Sequence, residues 1–244
     1  MPRWGFFALL CLSALGFAQE PPRFEVASIR PSNPDESNLP SGCQTGNGLM
    51  RCQNVTLKRC IVGAYEILAE QIFGGPDWID SDRFDITARA DRPVGDKGLD
   101  QMLQMLLAER FHLKLHHETR AGETMALEVA RGGPKLEPAA DAKHSYDNAH
   151  DHLDATVTMA QLAEILTRDL RLPVKDRTGL SGAFKFTLHW NPDFPAPLSR
   201  DDAAEALRLE VSRAMVQQLG LRLRRKRMRI DVLVVASADK PSPN

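Results

Sequence analysis

Residues 156–190 and residues 54–90 carry the same plan twice. The later stretch, TVTMAQLAEILTRDLRLPVKDRTGLSGAFKFTLHW, reads as a threonine-capped amphipathic helix, a short apolar strand, a glycine-containing turn and an alternating strand ending in aromatics. The earlier one, NVTLKRCIVGAYEILAEQIFGGPDWIDSDRFDITARA, presents those elements in the same order. A repeat constrains a fold more than a single motif does, because each copy has one apolar face that must be buried, and another copy is the nearest complementary surface. In the first copy Thr56 caps a helix whose Leu57, Cys60, Ile61, Ala64, Tyr65 and Leu68 share a face. In the second, Thr158 and Gln161 stand at capping-box spacing ahead of Met159, Leu162, Ile165, Leu166 and Leu170.

Two other segments follow a helix-then-strands grammar. Leu99, Met102, Leu103, Leu106 and Leu107 form a helical stripe. Behind it, Phe111, Leu113 and Leu115 alternate with His112, Lys114 and His116, Ala121-Gly122 offers a turn, and Met125, Leu127 and Val129 alternate again, which predicts a hairpin. Toward the end, Asp201 or Asp202 opens a helix carrying Ala204, Leu207, Val211 and Met215, and Gly220 stops it. Residues 221–225 and 228–236 then predict a second hairpin. A strand over 24–29, a surface loop over 32–48 and a loop over 135–155 complete the expectation. The fold class is α+β, built from repeated helix–β-hairpin units, with antiparallel sheets carrying helices on one face. The division is a first half at 24–137, a linker at 138–149, a second half at 150–236 and a polar tail at 237–244.

The amino terminus bears on the compartment. Arg3 precedes an apolar run from Phe6 to Phe17, and Gly16-Phe17-Ala18 supplies small residues ahead of Gln19, so residues 1–18 read as a secretory signal peptide. That run is too short to span a bilayer, and no transmembrane helix is expected after its removal. Export exposes Cys43, Cys52 and Cys60 to oxidation. Cys43 and Cys52 bracket QTGNGLMR, whose Gly and Asn residues permit a tight reversal and a disulfide across it, while Cys60 falls at an apolar helix position that suits a buried thiol. Spacing alone leaves the pairing among the three open. No Cys-x-x-Cys is present to hold zinc.

Charge is nearly balanced, at a formal net of -1, and gives no global attraction to nucleic acid. The charged side chains are unevenly placed, however. Arg222, Arg224, Arg225, Lys226 and Arg227, continuing to Arg229, form one dense basic run expected at a hairpin tip, where they are candidates to bind a polyanion such as lipid headgroups or acidic glycan. No aromatic residue interleaves that run, so nucleic acid is not the expected partner. His112 and His116 lie four residues apart on an expected strand, about 13 Å between Cβ atoms, too far to share one ion. His150 and His152, with His144 and Asp154 near, are the better metal candidates, because a loop can fold around an ion. Asp77, Asp80 and Asp82 follow a Gly-Gly-Pro turn without the pattern of a calcium loop, and Ser181 lacks a Gly-x-Ser-x-Gly elbow.

The segments FEVASIRPS, GGPDWIDSDRFDITARA, LLAERFHLKLHHETR, KDRTGLSGAFKFTLHW and IDVLVVASADKPSPN occur here in order. Together they resemble the soil-associated exported family common in acidobacteria, a domain of unknown function. The resemblance implies export, and in some relatives the domain is similar to the extracellular part of sensor-type membrane metallopeptidases. This chain contains no His-Glu-x-x-His, so the resemblance transfers no catalytic residue. The functional expectation is a non-enzymatic binding or sensory module of the bacterial envelope, with no cofactor, whose partner is an envelope protein or a small ligand. The alternative is a hydrolase with a metal-assisted site in the loop between halves. A third reading makes the basic run an envelope anchor on anionic lipid.

Overall fold

The computed structural model describes residues 22–33, 40–139, 145–149, 151–191 and 199–242. The expected signal segment, residues 1–18, lies outside them. In the first part of the chain, β1 (Val26–Pro31), β2 (Gly42–Gly46) and β3 (Leu49–Thr56) lead into α1 (Leu57–Ala64). They are followed by β4 (Ile72–Gly74), α2 (Trp78–Ser81), β5 (Arg83–Arg89), α3 (Asp96–Arg110) and β6 (Lys114–Val129). The second part brings β7 (Glu137–Pro138), β8 (Ser145–Asn148), β9 (His152–Thr158), α4 (Met159–Leu170), β10 (Val174–Asp176), β11 (Ala183–His189), α5 (Arg200–Ala214) and β12 (Leu221–Ser237).

Local chemistry explains where the two central helices begin. The Thr56 hydroxyl accepts from the Arg59 N–H at 3.2 Å, and the Thr158 hydroxyl accepts from the Gln161 N–H at 3.2 Å. The Gln161 side chain closes the box by accepting from the Thr158 N–H at 2.9 Å. Behind these caps the apolar stripe of α4 is buried as its spacing predicts, and that of α1 is buried at Leu57, Cys60, Ile61 and Ala64; α1 ends there, so Tyr65 and Leu68, expected on the same face, lie beyond the helix and are only partly buried.

Two outer sheets flank a central one, and the fold is α+β. The first has strand order β1-β5-β3-β2, the second β7-β11-β9-β8, and the central sheet β10-β6-β12-β4. The outer sheets correspond in register as well as order: Val55 faces Phe84 as Val157 faces Phe184. In the central sheet β4 joins β12 in parallel, Ile72 beside Leu233, and β10 joins β6 in parallel, Val174 beside Met125.

The expected hairpins at 111–131 and 221–236 do not form. Each segment is one long strand, and the two pair with each other along their whole length, from Leu221 opposite Val129 to Ser237 opposite Lys114. A two-residue reversal needs backbone at positive φ, as Asn47 and Gly48 supply between β2 and β3 with φ of 50° and 77°. Gly122 does not adopt positive φ, and no Gly, Pro or Asn lies between Arg224 and Arg229. Gly122 instead makes room across the ribbon: a Cβ there would stand 2.5 Å from Ile230 Cδ1. The Phe111 to Leu113 segment is not strand either, because His112 takes φ of 45° and β6 begins only at Lys114. The expected loops also contain strands. β2 lies within 32–48, and β7, β8 and the start of β9 lie within 135–155. β2 and β8 carry no buried residue, so neither has an apolar period to announce it.

Two hydrophobic clusters result. The first joins β1, β3, β5, α1 and α3 around Phe111, which meets Phe84 edge-on at 5.2 Å and stacks on Trp78 at 6.3 Å. The second joins α4, β9, β11 and the end of α5 around Leu162, Leu188 and Met215. The ribbon enters both. Leu115 packs on the first cluster while Met125 and Leu127 belong to the second, and in β12 Leu221 and Leu223 belong to the second while Leu233 and Val235 belong to the first. Each long strand therefore begins beside its own helices and ends in the other cluster.

Cys43 and Cys52 are bonded directly across the β2–β3 ladder, and Cys60 is a buried free thiol whose pKa burial pushes up to about 12. The closed loop is short, so the entropic stabilisation is about 2.5 kcal/mol at most. A Cys43→Ser/Cys52→Ser variant is expected to lose roughly 1.5–2.5 kcal/mol, because the Asn47-Gly48 turn still holds the hairpin. Urea denaturation of the variant beside the oxidised parent measures this.

Candidate functional site

The basic run occupies the middle of β12, in the stretch where the ribbon passes from one cluster to the other. Alternation divides its charges between two faces. On one face Arg222 donates to Glu128 Oε2 from Nε at 3.2 Å and from a terminal nitrogen at 2.8 Å, and Lys226 donates to Glu128 Oε1. Arg224 reaches the same carboxylate at 3.9 Å. Lys226 foremost, with Arg222, holds the Glu128 carboxyl below its ordinary pKa, which favours the ionised form in this cross-strand triad. Further along that face Arg120 bonds Glu118 at 2.8 Å and lies over the Phe73 ring at 4.4 Å.

The other face carries Arg225, Arg227 and Arg229. Arg225 donates to Glu205 of α5 at 2.8 Å and 3.1 Å. Glu205 also accepts from Arg208 at 3.0 Å, and Arg208, foremost, with Arg225, depresses its pKa. Arg208 in turn donates to the Leu170 carbonyl at 2.8 Å, fixing α5 on the end of α4. Arg227 and Arg229 are exposed and have no hydrogen-bond or ion-pair partner among the described residues. Opposite them in the ladder stand Glu123 and Ala121 respectively. Ala121, Gly122, Glu123, Arg225, Lys226 and Arg227 line a recess of about 440 Å³. Beyond that stretch the same face of the strand is buried at both ends, at Leu221 and Leu223 and again at Leu233 and Val235, so the free arginines sit in a trough.

The structure thus separates candidates that the sequence groups together. Arg222, Arg224 and Lys226 converge on Glu128, Arg225 is held by Glu205, and Arg227 alone of the five projects without a partner among the described residues. Arg229, already part of the basic run in sequence, follows Arg227 on the same face, while Glu123 and Ala121 opposite them escape a sequence reading that places a turn there. The missing turn residue between Arg224 and Arg229 is the signal that would have revealed them.

His152 lies on β9, not in a loop, and its ring faces His189 of β11 at 5.7 Å. Its Nδ1 meets Asp151 Oδ1 at 2.8 Å, which raises the imidazole pKa and lowers that of the carboxyl. His150 and His144 lie outside the described residues. His112 meets Asp239 at 3.3 Å and His116 meets Glu118 at 3.0 Å. Asp80 pairs with Lys58 at 3.1 Å and Asp82 with Lys240 at 2.6 Å, while Asp77 directly precedes α2. Ser181 sits in a turn whose Gly179 and Gly182 hold φ of 70° and 87°. Among the described residues no three His, Cys, Asp or Glu side chains gather as metal ligands do.

A family model described as a protein of unknown function, DUF3738, matches residues 58–238. No curated protein and no solved structure matches the chain.

Proposed function

We propose, from the premise that the chain belongs to the DUF3738 family of proteins of unknown function, that it is an exported, non-enzymatic binding module whose ribbon recognises an anionic partner. The observation that carries this reading is the pair Arg227 and Arg229, held in a trough on a ribbon whose two ends are anchored in separate clusters. The ladder fixes the backbone positions and spacing of the two cations, so an anion has only their side chains to order. Export is supported by the apolar run at residues 6–17 and by the Cys43–Cys52 disulfide. No helix among the described residues is long and apolar enough to cross a membrane. The matching order and register of the outer sheets support an origin of the two halves by duplication.

Dextran sulfate, a generic flexible polyanion, tests the reading. Thermophoresis of the chain from Gln19 onward is expected to show binding at low ionic strength that weakens as salt rises. The Arg227→Gln/Arg229→Gln variant is expected to bind roughly three- to thirtyfold more weakly, the loss of two exposed charge contacts of about 0.3–1 kcal/mol each. No binding at low salt, or full retention by the variant, overturns the proposal.

A further inference from the structure

We infer that the trough is a subsite for an acidic sugar of the uronic acid type, its carboxylate seated on Arg227 and Arg229 and its hydroxyls donating to Glu123. This rests on the anion-binding reading above and makes it specific. Two kinds of chemistry are left unanswered in the trough. The guanidinium groups of Arg227 and Arg229 offer planar donor forks suited to a carboxylate, and the Glu123 carboxylate, which also has no partner among the described residues, offers acceptors. Arg227 and Glu123 are direct cross-strand neighbours, so their Cβ atoms stand about 5 Å apart, within the span of a single sugar ring. A ligand of negative charge alone meets repulsion from Glu123, whereas an acidic sugar brings hydroxyl donors beside its charge.

The shape agrees with that chemistry. Ala121 presents only a methyl group on the arginine face, and the recess of about 440 Å³ falls in the range of small-ligand sites. Arg227 and Arg229 are two residues apart on one face, about 7 Å, so they grip one carboxylate from both sides or two on successive sugars. Among the described residues no aromatic side chain lines the recess to stack a nucleobase.

Calorimetry with four probes tests the inference: oligogalacturonate, its methyl ester, inorganic polyphosphate and vesicles of phosphatidylglycerol. Oligogalacturonate is expected to bind at least about tenfold more tightly than the ester, which keeps the hydroxyls and loses the charge. Arg227→Gln/Arg229→Gln is expected to abolish that preference. Arg92→Gln/Lys97→Gln, which removes the same charge from another surface, is expected to leave it intact. Glu123→Gln gives the sharper readout, weakening oligogalacturonate while strengthening polyphosphate. Equal binding of acid and ester, or a Glu123→Gln effect of one sign on both anions, overturns the acidic-sugar assignment. Polyphosphate or vesicles bound through the arginines while oligogalacturonate is not would sink the sugar and leave the anion-binding reading standing. Failure of all three anionic probes removes both.

Discussion

A chain ended after Asp231 is expected to lose the first hydrophobic cluster, although every residue of β1 to β5 and of the helices among them is still present. The cause is the exchange of end strands. Leu233, Val235 and Ala238 come from the far end of the sequence and are 1%, 3% and 9% exposed within the first cluster, and Val232 beside them is fully buried. Removing three branched side chains of that kind forfeits about 5–9 kcal/mol of burial. A domain of this size is stable by roughly 5–15 kcal/mol in total. β4 is stranded as well, since its ladder partner is Leu233 to Val235. Limited proteolysis should then cut first in residues 22–113, and the far-UV circular dichroism melt should lose the share of its amplitude that the first cluster contributes while the second cluster still melts. The single substitution Leu233→Ala is expected to cost about 3 kcal/mol and to keep the fold, which separates loss of packing from loss of the strand. If the truncated chain melts like the parent, the strand exchange does not hold the first cluster together.

The same exchange explains which parts of the fold the sequence announces. α1, α3 and α4 have one-sided apolar stripes and threonine or glycine at their starts, and β5 and β11 alternate strictly, so each appears at the expected place. These elements bury one face against near neighbours, and their period reports it. β6 and β12 run 16 and 17 residues, far beyond the usual strand; β12 is apolar at both ends with charge between, and β6 continues the Phe111, Leu113 and Leu115 alternation through a polar middle into an apolar end. That pattern mimics two short strands and a turn. Only the conformation of Gly122 and the lack of any turn residue after Arg224 distinguish the alternatives. The candidate site inherits this difficulty: the run of cations is obvious in sequence, but which of them are free depends on Glu128 and Glu205. Those carboxylates come from a strand about a hundred residues away and from a helix facing the ribbon.

The junction that starts β12 is the other point where a small change should have a large effect. Gly220 ends the helical run that α5 begins, with φ of 64°, after the wide turn Met215–Leu219. A Cβ added there would stand 2.0 Å from the Gly133 carbonyl oxygen and 3.1 Å from the Lys135 nitrogen, both backbone atoms that cannot swing aside as a side chain would. The surroundings are tied on both sides: the Ala130 N–H donates to the Gly220 carbonyl at 2.9 Å, and the Lys135 N–H donates to the Leu219 carbonyl at 2.8 Å. Relieving the clash breaks at least one of these bonds and shifts Leu221, which is fully buried in the second cluster. Gly220→Ala is therefore expected to cost about 3–5 kcal/mol, near the upper end for a single substitution. Gly133→Ala is the matched comparison, because Gly133 also holds positive φ, at 80°, but a Cβ there meets nothing within 4 Å. It should cost only the conformational penalty of about 1 kcal/mol. Urea midpoints of the two variants, taken beside the parent, isolate the clash from the backbone preference. Equal losses would mean that the β12 junction yields, and with it the claim that this glycine sets where the ribbon begins.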